Sequence, residues 1–418
     1  MGETSTMTHV ADFSEMFCLD EEGEPDLPKI AKKRNRLVGY LITFLVTLTL
    51  GTTEIFASWY TGILPGGSGF LAGFAMGSFG LVYMVSPSIG GKISDSIGRK
   101  KSLLIATAAY IAVLVLYPLS TTPIDLIIIR ALEGIVYGFI APSIEGMVAE
   151  LSPEAQAVTL GNFSTSWSAG MIVSPFLIGY VTGLYGVFSS IYVIIAVEFV
   201  SLGIIGGLLQ KYRMKTTFRE ARKNSDRPKP IYSKTSARFI ASYLSIGLWG
   251  VVSTVILALL PRYVEGLGYA PEDFGNLLII WNGVRTLAFI ICARLPERTM
   301  GSVIISGAVL SGISSLMVYA IADIWIWGLA MAISGTAVGF SYLGALYLIV
   351  SATEDEKGGH AGLVESMGGV GLFLGPMLGG WVMDISAGYP FLLCAVLSVV
   401  VLLFMIPLLY KSKSKTEK

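Results

Sequence analysis

Five ionisable side chains sit where hydrocarbon is expected to surround them. Glu54, Arg130, Glu133, Glu198 and Arg285 lie well inside long apolar runs, and Glu145 and Glu365 lie nearer the ends of such runs. A charge at the middle of a bilayer costs at least ~2.5–3.5 kcal/mol on insertion scales, so each is a candidate for moving a proton or holding a charged substrate. Counted along the helix rise, Glu54 lies roughly 14 Å and Arg130 roughly 12 Å below the same face of the membrane. That shared depth predicts a Glu54–Arg130 pair. Glu133 falls one turn deeper on the face of Arg130. Desolvation and the neighbouring guanidinium act on such a carboxyl in opposite senses. Two arrangements follow: a proton relay with Glu133 as carrier and Arg130 as switch, or a static neutralised pair holding the helix to its neighbours. Arg285, roughly 16 Å into its own run, has no acid on its helix. It is either an anchor for an anionic substrate or facing glutamate, or a structural partner of a backbone carbonyl or Glu365. Glu198 reads as structural or as snorkelling to an interface. Asn282, Trp59, Tyr60, Trp167, Trp281 and Tyr342 are candidate cavity contacts.

Other chemistry is excluded by what is missing. Cys18, Cys292 and Cys394 are far apart, and His9 and His360 are isolated, so no metal spacing arises. No nucleophile–His–acid set and no phosphate-cradling glycine loop is present. The sequence predicts no enzyme, no cofactor, no metal site and no nucleotide-driven pump. The formal net charge is zero, which gives no field for nucleic acid.

The elements that must carry these groups are membrane spans. Only 14% of the 418 residues are charged, against about 25% in a soluble domain. Stretches such as 37–53, 102–124, 299–322 and 391–410 have no charge at all. Twelve spans are predicted near 37–63, 69–90, 101–119, 122–148, 158–182, 187–209, 238–262, 274–293, 300–321, 324–350, 360–383 and 388–410. With both termini cytoplasmic, 26 of the 29 basic residues fall on the inner side, as the positive-inside rule requires. An acidic cytoplasmic tail (1–36) then precedes a six-helix bundle (37–209). A basic linker (210–237), a second bundle (238–410) and a short tail (411–418) follow. The acidic start reads as disordered, with no cleavable signal peptide.

The two halves overlay without gaps at an offset of 201 residues. Gly134, Gly138 and Phe139 fall on Gly335, Gly339 and Phe340, and Gly170, Pro175 and Gly179 fall on Gly371, Pro376 and Gly380. Six spans separate the copies, so the halves run parallel, an arrangement with substrate near the midplane between them.

Three motifs carry a resemblance to a known family. The loop after the second span reads Gly91-Lys92-Ile93-Ser94-Asp95-Ser96-Ile97-Gly98-Arg99-Lys100-Lys101. Span 4 has Arg130-Ala131-Leu132-Glu133-Gly134. Span 11 has Gly371-Leu372-Phe373-Leu374-Gly375-Pro376-Met377-Leu378-Gly379-Gly380, with a weaker copy from Gly170 through Pro175 to Gly179 in span 5. These are similar to the signatures of the major facilitator superfamily and its drug–proton antiporters, with Ile93, Ser96, Glu133, Ser174 and Ile178 as departures. The resemblance implies an all-α membrane protein of two pseudo-symmetric six-helix bundles that rock about a central cavity. It also implies a conformational latch: Asp95 at the N-terminal end of span 11, where the helix dipole favours a carboxylate, and Arg99 with Glu145 or Glu150. That latch would hold the outward-open state, with Gly91, Gly98 and Lys100 shaping its loop.

The expected activity is secondary transport of a small organic molecule across the plasma membrane, coupled to protons. Acids outnumber bases inside the spans by five (Glu54, Glu133, Glu145, Glu198, Glu365) to two (Arg130, Arg285), which favours export. The alternative is uptake of an organic anion or other metabolite, with Arg285 as carboxylate anchor. A non-transporting sensor is a third reading. Partners are the substrate, protons and the bilayer, and a monomer is expected.

Overall fold

The computed structural model describes residues 29–151, 156–210, 237–351 and 357–416. Residues 1–28 of the predicted acidic tail and nearly all of the basic linker lie outside the described residues; the rest of that tail, 29–36, is already helical and begins α1. Everything described is helix or short connection. The helices are α1 (Lys29–Ile63), α2 (Gly69–Tyr83), α3 (Ser86–Ile97), α4 (Arg99–Leu114), α5 (Pro123–Glu150), α6 (Gln156–Phe176), α7 (Ser189–Gly207), α8 (Ala237–Gly266), α9 (Pro271–Cys292), α10 (Met300–Ala320), α11 (Ile324–Ser351), α12 (Lys357–Met383) and α13 (Tyr389–Thr416).

Among the described residues, nine helices are long and apolar enough to cross a membrane, and α2 with α3 makes a tenth crossing bent by 44°. The bend falls at Met84 and Val85, just before Pro87, which has no N–H to continue the ladder. The other two crossings are α5, whose apolar run is interrupted by its charges, and α12, whose apolar part is Met367–Met383. Twelve crossings result, as the charge-free runs predict. Starts are fixed by side chains: Thr122 and Asp125 form a reciprocal capping box ahead of Pro123, and Ser68 accepts the N–H of Leu71. After Pro175, α6 widens into a π-helical stretch over Leu177–Thr182.

The first six crossings pack together, α1 on α6, α5 on α2, α3 and α4, and α7 on α1 and α4. The last six repeat the pattern: α8 packs on α12, and α11 on α9 and α10. The two bundles meet along two seams, α2 against α12 and α6 against α9. Both seams close where side chains vanish. A Cβ on Gly275 would stand 3.0 Å from the Cα of Gly179, and a Cβ on Gly69 would stand 2.5 Å from the carbonyl oxygen of Gly380. The span 11 motif divides its glycines between two neighbours: Gly371 and Gly375 lie against α8, and Gly380 against α2. Small residues let helices approach where lipid supplies no hydrophobic drive.

Candidate functional site

A cavity of about 890 Å³ lies between the bundles. Its wall runs from Glu54 and Leu257 inward to Glu145, Gly161 and Arg294, so it opens at the end that carries the chain termini. The opposite end is sealed by contacts between the bundles. Ser58 donates to the carbonyl of Ala258 (2.6 Å), the Trp59 indole donates to Glu265 (2.6 Å), and Tyr180 donates to Asn276 (2.9 Å). The carboxylate of Asp384, just past α12, accepts the N–H groups of Gly69 (2.5 Å) and Phe70 (2.9 Å) at the first turn of α2.

Of the predicted site residues, Glu54 and Arg285 line the cavity from opposite bundles. No ion pair joins them. The Glu54–Arg130 pair predicted from depth does not form. Arg130 bonds Glu133 instead (2.6 Å), and both side chains are fully buried. Glu133 also accepts from Thr53 (2.5 Å), Tyr110 (2.7 Å) and Tyr117 (2.7 Å), so four donors surround one carboxylate. Arg130 stacks behind Phe79, 4.5 Å from its ring centroid, and Phe79 with Met76 forms the cavity wall in front of it. The pair therefore stands behind the wall, tying α5 to α1 and α4. Rotation about the helix axis decides the partner.

Arg285 is 2% exposed and sits between two indoles, Trp281 of its own helix (4.8 Å) and Trp167 of the other bundle (5.2 Å). Its Nε and Nη2 have no hydrogen-bond partner. No backbone carbonyl of the described residues takes those nitrogens. The Glu365 side chain lies outside the described residues. Glu198 is fully buried on α7 and does not reach an interface, which removes the snorkelling reading. Trp167 and Tyr342 line the cavity as predicted. Trp281 lies beneath Arg285, Trp59 belongs to the outer seam, Tyr60 stacks on Phe56 (5.1 Å), and Asn282 stays off the wall. Trp249 and Ser253 also line the wall and were not anticipated; Trp and Ser four apart in an apolar helix give no distinctive signal.

At the open end, Arg99 bonds both Glu150 of α5 (2.5 Å) and Asp95 of α3 (2.6 Å), and Ser94 as well (3.0 Å). Glu150, one of the two acids expected there, is a partner of the Arg99 guanidinium. All these partners belong to one bundle and the contact persists while this end is open. By itself it does not lock the bundles together. The first ten residues of α12, which Asp95 was expected to approach, have side chains outside the described residues. Gly98 turns the α3–α4 loop with φ +92°, a conformation that favours glycine. The motif's Gly91 has room for a Cβ; its neighbour Gly90 is the one pressed against Gly138. Lys100 donates to the carbonyl of Gly206 (2.8 Å), joining α4 to α7.

The Major Facilitator Superfamily model matches residues 39–361 and 301–418. The Staphyloferrin B transporter of Staphylococcus aureus is 32% identical over 137 residues, covering 33% of this chain and 32% of that one, so the match spans about a third of that relative's length. Multidrug resistance protein 2 of Bacillus subtilis is 22% identical over 354 residues, covering 80% of this chain and 85% of that one. Among solved structures, the nucleoside transporter NupG (D323A mutant) superposes with a TM-score of 0.76 at 14% identity, covering 90% of this chain and 99% of that one. Two parallel bundles, a cavity between them sealed at one end, and a family match over the whole bundle region lead to one conclusion: the chain belongs to the Major Facilitator Superfamily and is a membrane transporter, not an enzyme.

Proposed function

We propose that this transporter moves a small organic molecule across the plasma membrane by proton-coupled alternating access, with Glu54 as the group that takes up and releases the proton. The observation that carries this reading is the placing of Glu54. It is an acid deep in the spans that faces the cavity, whereas Glu133 is saturated by four donors behind the wall. A proton carrier must meet the aqueous route, and a carboxylate locked by a guanidinium and three hydroxyls cannot release its partners cheaply. Both termini face the cytoplasm in this reading, since the basic residues gather at that end, and the cavity described above is then the inward-open one.

Export in exchange for protons is the direction favoured by likeness to the multidrug resistance protein, and it is the leading reading. Uptake of an organic anion is the second reading, favoured by the unpartnered Arg285 in the cavity wall. The test is proton flux in proteoliposomes loaded with a pH dye, challenged with lipophilic cations, organic acids, sugars and amino acids. Flux evoked by one class and abolished by Glu54→Gln supports the proposal. Evoked flux that survives Glu54→Gln removes Glu54 as carrier. The sign of the flux gives the direction.

A further inference from the structure

The polar atoms of the cavity wall are distributed unevenly between the bundles. On the α8 and α9 side, Arg285 Nε and Nη2, the indole N–H of Trp249 and the hydroxyl of Ser253 all have no hydrogen-bond partner. All three residues line the cavity. Trp249 and Ser253 are four apart on α8 and so share a face. Tyr342 bridges them to α9, its ring 4.5 Å from Trp249 and 6.1 Å from Phe289, which is one turn beyond Arg285. A guanidinium and an indole N–H can only donate, and the hydroxyl can donate as well. Buried donors left without acceptors are costly, and the cost is greatest for a charge. A wall built this way is complementary to an acceptor that brings negative charge. The aromatic rings around it offer faces to an apolar, planar body.

We propose that the cavity binds an organic anion, a carboxylate or similar single anionic group on an aromatic or planar body, with the anionic group drawn to the unpartnered donors of the α8 and α9 side, foremost the Arg285 guanidinium, and the body against Trp167 and Tyr342. This rests on the reading that Glu54 carries a proton when the anion is bound, because Glu54 faces the same space. The guanidinium lies against the rings of Trp167 and Trp281, and a small turn of the side chain brings a planar fork to a carboxylate. At about 890 Å³, the cavity admits a molecule of drug size.

The test uses three probes of one shape on the full chain in nanodiscs of neutral lipid: 2-naphthoate, 2-naphthamide and 2-naphthylmethylammonium. Affinities are read by titration calorimetry. The wild type is expected to bind naphthoate about tenfold or more above the amide, as a charge-assisted contact requires. Arg285→Gln is expected to erase that difference, and a melting temperature in detergent close to that of wild type reports that the variant is folded. Equal affinity for all three probes in the wild type, or preference for the ammonium, overturns the proposal without need of any variant. So does an Arg285→Gln protein that weakens naphthoate and amide alike. An anionic lipid headgroup has the same chemistry. If phosphatidylglycerol in the discs lowers naphthoate affinity tenfold, the subsite belongs to lipid and the proposal fails. Naphthoate binding that depends on Arg285, with proton flux that survives Glu54→Gln, keeps the anion subsite and discards the proton reading instead.

Discussion

Asp384 caps a helix that belongs to the other bundle: its two carboxylate oxygens accept the first N–H groups of α2, at Gly69 and Phe70. The first turn of any helix has unpaired donors and a partial positive charge, which a carboxylate satisfies together. Here that contact stands at the closed end. Removing it should favour the opposite state. A lost cap is worth ~1 kcal/mol, close to fivefold in an equilibrium. Asp384→Asn is expected to raise the ratio of outward- to inward-open molecules about fivefold. Electron–electron resonance distances between spin labels at the outer loops measure this, and an unchanged ratio removes Asp384 from the gate.

The two carboxyls that depth alone could not separate should behave in opposite ways. Glu133→Gln leaves Arg130 buried without its charge partner, a loss on the order of 3 kcal/mol or more. The melting temperature in detergent should fall by several degrees, while evoked proton flux per folded molecule persists. A variant with unchanged melting and no flux would return Glu133 to the relay.

Glu54→Gln should show the reverse pattern. The side chain faces the cavity and has no ion pair to lose, so melting should change by less than Glu133→Gln changes it. Substrate-evoked flux should disappear. Substrate binding measured without a proton gradient should remain within a few fold of wild type.

The glycines of the seam should resist even one added methyl. In Gly275→Ala the new Cβ meets backbone atoms of Gly179 at 3.0 Å, and overpacking of that kind costs typically 1–3 kcal/mol. The variant is expected to lose occupancy of the outer-closed state, seen as faster modification of a cysteine placed at Ser58. Gly283→Ala, where no atom lies near the new Cβ, is the matched control.

The Arg99–Glu150 contact should act locally. Both side chains are about a tenth exposed, so Arg99→Gln should lower stability by about 1–2 kcal/mol. Arg99→Lys, which keeps a cation beside both Glu150 and Asp95, should lose less. Arg99→Gln should leave the outward-to-inward ratio within twofold, because both partners move with one bundle.

Much of this was legible before any coordinates. Runs without charge give the crossings, the clustering of Lys and Arg gives a common side, and the 201-residue offset gives two like halves. Helix rise assigns Glu54, Arg130 and Glu133 a depth. What depth cannot give is azimuth. Arg130 points behind Phe79 and not toward Glu54, and Glu133 turns into a nest of Thr53, Tyr110 and Tyr117. Those tyrosines come from the third crossing and the loop after it, and no spacing within α5 announces them. Arg285 was legible as a solitary base. The donors Trp249 and Ser253 near it were not, because Trp and Ser are ordinary in a membrane helix and only their shared lack of acceptors marks them.

The seams between the bundles are backbone laid on backbone, Gly179 on Gly275 and Gly69 on Gly380. At those points there are no knobs to withdraw from holes, so parting them leaves no side-chain-sized void. The side-chain contacts that must be broken there are few and specific: Phe74 on Phe373, Tyr180 on Asn276, and Asp384 on the first turn of α2.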